Sequence, residues 1–277
     1  VENNPTIGFI GAGNMAYALI SGLIDSGYSS DNIKVSDVDT ELLSLRSSEL
    51  SIEVFTDNSR LAGICDVVVL AVKPQVLAQV CKGIKNNIKH KPLILSIAAG
   101  VKSIDINRWL GGNSPIVRAM PNTPALLGQG AAGIYANKSV SKNQQKLSKM
   151  ILDSVGSSCW VEDELKLDAV TALSGSGPAY FFLMLESMTK AGIALGLDSD
   201  TAQKLSIQTA LGSSMMAGNS DGTSPQQLRA NVTSPNGTTQ AAIDSFQDQD
   251  FEMIVSHAMR AAYDRAKSMG VEFGDID

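Results

Sequence analysis

Histidine, cysteine and aromatic residues are all scarce in this 277-residue chain, with two His, three Cys and 5% Phe, Tyr and Trp. Its two isolated histidines are His90, in the polar stretch Lys89-His90-Lys91-Pro92, and His257, in a late helical run. They argue against a His-based metal cluster or a Ser-His-Asp triad, and no metal site is expected. The cysteines Cys65, Cys81 and Cys159 contain no C-x-x-C pair and are too scattered for a disulfide framework, which suits reduced thiols in a cytoplasmic protein. No run of about 18 apolar residues is present, so no membrane span is expected. The stretch Val1-Glu2-Asn3-Asn4-Pro5 lacks the charged and apolar regions of a signal peptide. Basic charge is in deficit: 22 Lys and Arg against 28 Asp and Glu give a formal charge of −6. That excludes binding through a broad basic field to nucleic acid or a membrane surface, but leaves room for a small anion at a local site. Charged residues make up only 18% and hydrophobic residues 44%, which describes a folded chain with a core. At roughly 100–200 residues per domain, the length suits two domains or one large one.

Up to Trp160, short apolar runs alternate with longer amphipathic ones. Residues 6–10, 33–36, 66–72, 93–98, 116–119 and 131–135 read as strands. The run Val67-Val68-Val69-Leu70-Ala71-Val72 is apolar on both faces, as a parallel strand covered on both sides requires. Residues 14–26, 40–50 and 75–87 have helical spacing; the first ends at Gly27, a C-cap residue, and Pro74 precedes the last. The alternation predicts an α/β fold, an N-terminal Rossmann-type doubly wound sheet over residues 1–162. After Trp160, residues 164–173, 179–195, 201–217, 239–246 and 250–269 all read as helix and no further strand is expected. Residues 163–277 are therefore predicted to form an all-helical C-terminal domain. The run Tyr180-Phe181-Phe182-Leu183-Met184-Leu185 is hydrophobic on more than one face. Such a helix needs neighbours all round, and a partner subunit is the expected cover.

Gly11-Ala12-Gly13-Asn14-Met15-Ala16 is G-x-G-x-x-A between a predicted strand and a predicted helix. In that context Gly11 permits a tight turn, Gly13 lets the backbone approach a pyrophosphate, and Ala16 lets helix and strand pack closely. The helix N-terminus adds free N–H groups and the positive dipole end. The second strand leads into Ser36-Asp37-Val38-Asp39. An acidic residue there suits the ribose 2′-hydroxyl of NADH, and no Arg adjoins it for the 2′-phosphate of NADPH, although Ser36 and Asn58 can still bond one. Asp37 has a second reading as the cap of the helix from Thr40. Ala71-Val72-Lys73-Pro74 lies at the carboxyl edge of the sheet, where ligands bind; Lys73 either reaches ribose or phosphate or is simply solvated.

Three further segments are rich in turn residues: Arg118 to Ala125, containing Met120 and Asn122; Ser174 to Ala179; and Val232 to Thr239. The last places three hydroxyls, Ser234, Thr238 and Thr239, around Asn236-Gly237. Backbone N–H groups at 237–239 can open a helix toward a carboxylate, with Ser234 or Thr239 bonding a second polar atom of the ligand. A plain N-capped helix is the alternative.

Together these segments resemble the pyrroline-5-carboxylate reductase family. The resemblance runs from Ile7 to Gly270 through G-A-G-N-M-A at 11–16, A-V-K-P at 71–74, R-A-M-P-N-T-P-A at 118–125, G-S-G-P-A-Y at 175–180 and S-P-N-G-T-T at 234–239. It implies a Rossmann domain followed by a helical domain that dimerises through interlocking helices, with larger assemblies of dimers also occurring. It implies reduction of 1-pyrroline-5-carboxylate to L-proline by NADPH or NADH, with hydride passing to the C=N carbon. Carried over residue by residue, Gly11, Ala12, Gly13, Asn14 and Met15 hold pyrophosphate, and Ser36, Asp37 and Asn58 face the adenosine ribose. Ala71, Val72, Lys73 and Pro74 line the path toward nicotinamide, with Met120 and Asn122 near it. Ser234, Asn236, Gly237, Thr238 and Thr239 bind substrate, Thr239 bonding the ring nitrogen, in a site completed across the dimer interface. Three positions depart from the family pattern. Asn236 stands where glycine is more usual, Ala230 where Asp is common, and Asp37 opposes the usual NADPH preference.

Two rival functions remain on the same fold. A β-hydroxyacid dehydrogenase needs a lysine on the helix after the second Gly-rich turn, and residues 179–189 contain none, the first being Lys190. A cofactor sensor without catalysis needs no hydroxyl-rich turn at 234–239.

Overall fold

The computed structural model describes residues 4–274; residues 1–3 of the N-terminal stretch and the expected domain ends at 1 and 277 lie outside the described residues. The chain alternates β1 (Ile7–Ile10), α1 (Asn14–Asp25), β2 (Ile33–Ser36), α2 (Thr40–Leu50), β3 (Glu53–Phe55), α3 (Asn58–Ala62), β4 (Val67–Leu70), α4 (Pro74–Ile84), β5 (Leu93–Ser96), α5 (Ser103–Trp109) and β6 (Ile116–Met120). It continues with β7 (Gly130–Ala136), α6 (Lys142–Asp153), β8 (Gly156–Trp160) and α7 (Lys166–Val170), then a π-helical turn at Thr171–Gly175. Five helices follow: α8 (Gly177–Ala194), α9 (Ser199–Gly218), α10 (Pro225–Asn231), α11 (Thr238–Asp248) and α12 (Phe251–Gly274).

The eight strands form one sheet in the order β3-β2-β1-β4-β5-β6-β7-β8. All neighbours are parallel except β6 and β7. The chain winds outward from β1 to β3, then crosses back to β4 and winds the other way. The switch point therefore lies between β1 and β4, where Ile10 is level with Leu70. Ligands of such sheets bind in the crevice outside these strand ends.

Alternation along the strands splits the core in two. Ile7, Phe9, Val67 and Val69 pack on one face with Leu19, Ile20 and Leu23 of α1. Ile10, Val68 and Leu70 pack on the other with Leu61, Leu77, Cys81 and Ile84. All are at most 1% exposed, and each buried aliphatic side chain contributes about 1.5–3 kcal/mol. Both faces are covered, so the strands carry no polar alternation.

The structure adds elements that periodicity leaves unmarked: β3, β8 and the short or polar helices α3, α5, α6 and α10. The helix expected over 164–173 stops at Val170 and continues as the π-turn. The chain divides into two compact units, and not at the expected 162/163: the first runs to Ser176 and resumes at Ala261, and the second is Gly177–Arg260. Packing explains the difference. Glu164 accepts from Arg118 of β6 at 2.8 Å and from the Ser103 hydroxyl at 2.7 Å. Val170 lies so close to β7 that a Cβ on Gly133 would meet its Cγ2 at 2.6 Å. At the far end of the chain, Arg108 donates to the Gly274 carbonyl at 2.6 Å. These segments are helical in texture but belong to the core of the sheet unit.

In the second unit α8 pairs with α9. Phe181, Phe182 and Leu183 remain 64, 65 and 63% exposed in the single chain. A cavity of about 990 Å³ opens among Met184, Met188, Ile243, Phe246, Phe251 and Met253. Apolar surface on this scale marks an interaction face.

The thiols carry a testable consequence. Cys65 and Cys81 are buried and Cys159 is exposed, and burial pushes the Cys65 and Cys81 thiols up to about 12. Neither forms thiolate near neutral pH. Titration with a disulfide reagent at pH 7.5 is expected to consume one equivalent per folded chain, at Cys159, and all three only after unfolding.

Candidate active site

Backbone bonds lace the strand ends at the switch point together: the Gly11 N–H donates to Ser36 O at 2.7 Å and the Ala71 N–H to Ile10 O at 2.8 Å. Gly11 takes φ +106°, and a Cβ there would lie 2.6 Å from the Ala71 carbonyl oxygen. Conformation and space both demand glycine. Gly13 differs. It is the N-cap of α1 with φ −66°, and nothing lies within 4 Å of where its Cβ would be. Having no side chain, it cannot cap α1, so the first-turn N–H groups from Asn14 onward have no side-chain partner at the cap. Uncapped N–H groups, the helix dipole and a cradle that a Cβ would fill fit a dinucleotide pyrophosphate.

The adenosine end fits as well. A cavity of about 510 Å³ is lined by Gly11, Ser36, Asp37, Asn58, Val72 and Val76, among others. The buried Ser36 hydroxyl donates to Asn58 Oδ1 at 2.7 Å, leaving the Asn58 amide donors for a ligand. Asp37 does not cap α2. Asp39 does, accepting from the Leu42 N–H at 2.9 Å. Asp37 instead accepts from the Ala12 N–H at 2.7 Å through Oδ2 and from the Asp39 N–H at 3.1 Å through Oδ1. Its carboxylate therefore sits at the glycine loop, with lone pairs remaining for a ribose hydroxyl. Sequence reasoning missed the lining residues Val76, Gln79 and Val80 of α4. The i, i+4 spacing of the two valines was the available signal.

At the carboxyl end of β4, Ala71 and Val72 are partly buried and Lys73 is exposed. Lys73 is the N-cap of α4 without a side-chain bond, and Pro74 begins the helix. Met120 ends β6, its Cε 2.6 Å from where a Cβ on Gly175 would be. Asn122 is 8% exposed. Its Nδ2 donates to Ser174 O at 2.9 Å and its Oδ1 accepts from the Ala131 N–H at 2.8 Å. The side chain thus ties the 118–125 motif to the π-turn, and one N–H and one lone pair remain beyond those ties.

The second unit holds the turn at 234–239. The Gly237 N–H closes it onto Ser234 O at 3.1 Å, with Asn236 at φ 58°. Asparagine tolerates this left-handed conformation, so the departure from glycine at 236 is accommodated. A Cβ on Gly237 would lie 2.5 Å from Ser234 Oγ. The N-cap of α11 is Gly237, with no side-chain bond to the helix. The alternative of a side-chain-capped helix does not form, and the N–H groups of Thr238 and Thr239 have no carbonyl one turn earlier in the helix. Ser234 and Thr238 are exposed and Thr239 is half-buried beside them. The turn therefore presents uncapped helix N–H groups with hydroxyls at its rim. Among the described residues no group of three or more His, Cys, Asp or Glu is placed to hold a metal ion, and no helix is long and apolar enough to cross a membrane.

Sheet order, glycine loop and the cavity beside Ser36 and Asp37 fit a Rossmann-type nicotinamide-dependent oxidoreductase. The family model for "NADP oxidoreductase coenzyme F420-dependent" matches residues 6–100. That for "pyrroline-5-carboxylate reductase dimerisation" matches residues 164–269. The chain is 48% identical to a pyrroline-5-carboxylate reductase of Pseudomonas aeruginosa over 98% of its own length and 99% of the relative's. Among solved structures, a pyrroline-5-carboxylate reductase of Coxiella burnetii matches at TM-score 0.92 and 41% identity, covering 96% of this chain and 99% of that one. A Plasmodium falciparum pyrroline carboxylate reductase with NADP bound matches at TM-score 0.85 and 32% identity, covering 96% and 98%. The chain belongs to the pyrroline-5-carboxylate reductase family and carries its dimerisation domain.

The two loop glycines are expected to separate experimentally. Gly11→Ala forces strain of about 1–3 kcal/mol, lowering Tm by roughly 2–4 °C per kcal/mol, and weakens dinucleotide binding. Gly13→Ala leaves Tm unchanged, because its Cβ enters open space, yet weakens binding by obstructing the cradle. Thermal melts beside calorimetric titration with NADH and NADPH distinguish the two.

Proposed function

We propose that this protein reduces 1-pyrroline-5-carboxylate to L-proline. The carrying observation is the glycine-capped turn at 234–239, which presents helix N–H groups and hydroxyls instead of a side-chain cap. Its N–H groups at 238 and 239 hold the substrate carboxylate, assisted by Ser234 and by the backbone of Asn236 and Gly237. The Thr239 hydroxyl bonds the ring nitrogen. The nicotinamide cofactor, when bound, supplies a hydride to the C=N carbon. As that bond forms, the π pair of C=N settles on nitrogen, which holds a proton. A protonated imine is already electrophilic, so the chain's main task is alignment, which can contribute about 7–11 kcal/mol. A neutral threonine can donate or accept at nitrogen, and no histidine or lysine acid is required.

Gly11, Ala12, Gly13, Asn14 and Met15 are assigned to the pyrophosphate, and Ser36, Asp37 and Asn58 to the adenosine ribose. Ala71, Val72, Lys73, Pro74, Met120 and Asn122 are assigned to the nicotinamide end, Asn122 through the segment it fixes. NADPH is the assigned cofactor, with NADH admitted by the Asp37 carboxylate, which suits a hydroxyl better than a dianion. Asp37→Ala is expected to weaken NADH more than NADPH; equal effects would remove Asp37 from the ribose. The sheet unit is assigned to cofactor, and the helical residues from 163 onward to substrate and dimerisation. Dimers assembling into a ring, and a cytoplasmic setting consistent with three free thiols, complete the proposal.

The deciding experiment follows oxidation of NADPH and of NADH separately with 1-pyrroline-5-carboxylate and quantifies proline. Cofactor binding without turnover would favour a sensor instead. Thr239→Val is expected to lower kcat about 10²-fold or more while cofactor Kd stays within twofold. An equal fall in cofactor affinity would detach Thr239 from the imine.

A further inference from the structure

Ala12 lies between two glycines, and its own side chain is a methyl group. No side chain from Gly11 to Gly13 can therefore hold the backbone there, and the glycines on either side of Ala12 are the residues with the freest dihedrals. The hold comes from outside, at two successive peptide planes. The first plane carries the Ala12 N–H, which the Asp37 carboxylate of the β2–α2 connection accepts at 2.7 Å. The second plane carries the Ala12 carbonyl and the Gly13 N–H. Its carbonyl accepts from Arg46 Nε at 3.3 Å.

Arg46 stands on α2, 34 positions away in sequence. Its guanidinium carbon lies 4.2 Å from the ring centroid of Tyr17, in the second turn of α1. Its Nη1 donates to Glu49 at 2.8 Å, and the side chain is 11% exposed. Ring, carboxylate and carbonyl together fix the plane of the guanidinium.

A peptide unit is planar, and none of the described ones is cis. A carbonyl pinned toward Arg46 therefore sends the Gly13 N–H the opposite way. That N–H has no hydrogen-bond partner among the described residues, and Gly13 faces open space and solvent. We propose that Arg46 is a positioning residue for cofactor: by gripping the Ala12 carbonyl it aims the Gly13 N–H, and the α1 N-terminus behind it, at the pyrophosphate. Because pyrophosphate is common to both dinucleotides, the grip serves NADH and NADPH alike. Asp37, at the ribose, distinguishes them.

This inference rests on the cleft holding a nicotinamide dinucleotide, and the test reads binding directly so that the two can fail separately. Calorimetry with NADH and with NADPH on the purified full-length protein is expected to give Kd values about tenfold higher for Arg46→Met, by the same factor for both. Arg46→Lys keeps the charge but has neither the planar stack nor the Nε donor, and is expected to weaken both similarly. Turnover at saturating cofactor should fall less than twofold, so the loss appears in KM and not kcat. Unchanged Kd values with a lowered Tm would make Arg46 merely structural. Rescue by lysine would reduce its role to charge, and a loss confined to NADPH would make it a 2′-phosphate contact; each of these results overturns the proposal. If Arg46→Met fails to fold, Tyr17→Leu removes the ring beneath the guanidinium and is expected to raise both Kd values about threefold; no change there also overturns it. Wild-type protein that binds neither dinucleotide overturns the cleft assignment itself, before any variant is made.

Discussion

The cofactor half of this protein depends on how closely the chain leaving β1 passes the chain leaving β4. Gly11 runs so near the Ala71 carbonyl that no side chain fits between them. That contact locates the turn at the switch point of the sheet, and α1 therefore begins where its N–H groups open on the crevice. The buried, all-apolar β1 and β4 supply the rigidity. Every other feature of the cleft hangs on that fixed point: Ser36 and Asp37 at the end of β2, the valines of α4, and the Arg46 grip on Ala12.

The helical unit uses the same device without a sheet. Gly237 caps α11 with no side chain, and its close approach to Ser234 orders the turn. The N-termini of α1 and α11 are thus both entered through glycine, which keeps donors available that serine or aspartate would otherwise occupy. The contrast with α2 and α9 is direct. They are capped by Asp39 and Asp198. The exposed apolar faces of α8 and α9 lie within the matched dimerisation domain, where a second subunit has apolar surface to cover.

Much of this was legible in the chain. The 33–36 strand and the 40–50 helix are legible at both ends, because the apolar run stops at Ser36 and helical spacing begins at Thr40. The glycine loop was legible because Gly-x-Gly between an apolar strand and a helix has few other uses. Shorter or more polar elements were not. β3 is three residues long and β8 reads Gly-Ser-Ser-Cys-Trp; neither has apolar alternation, and the neighbouring strand alone makes them strands. The compact units divide elsewhere than at 162/163, because secondary-structure texture changes at Trp160 whereas packing changes at Ser176 and again at Ala261.

By itself the sequence determined the periodicities, the turn glycines and the order of motifs, since these follow from local sterics and from where apolar residues fall along the chain. It also held both readings of Asp37 without deciding between them. Tertiary structure decided that Asp39 caps α2 while Asp37 turns to the loop, that the Asn122 amide is tied to Ser174 and Ala131, and that an arginine on α2 reaches Ala12. Those are contacts between residues far apart in sequence. A hydrogen bond selects its partner by distance and angle in space, and only the folded sheet sets those values.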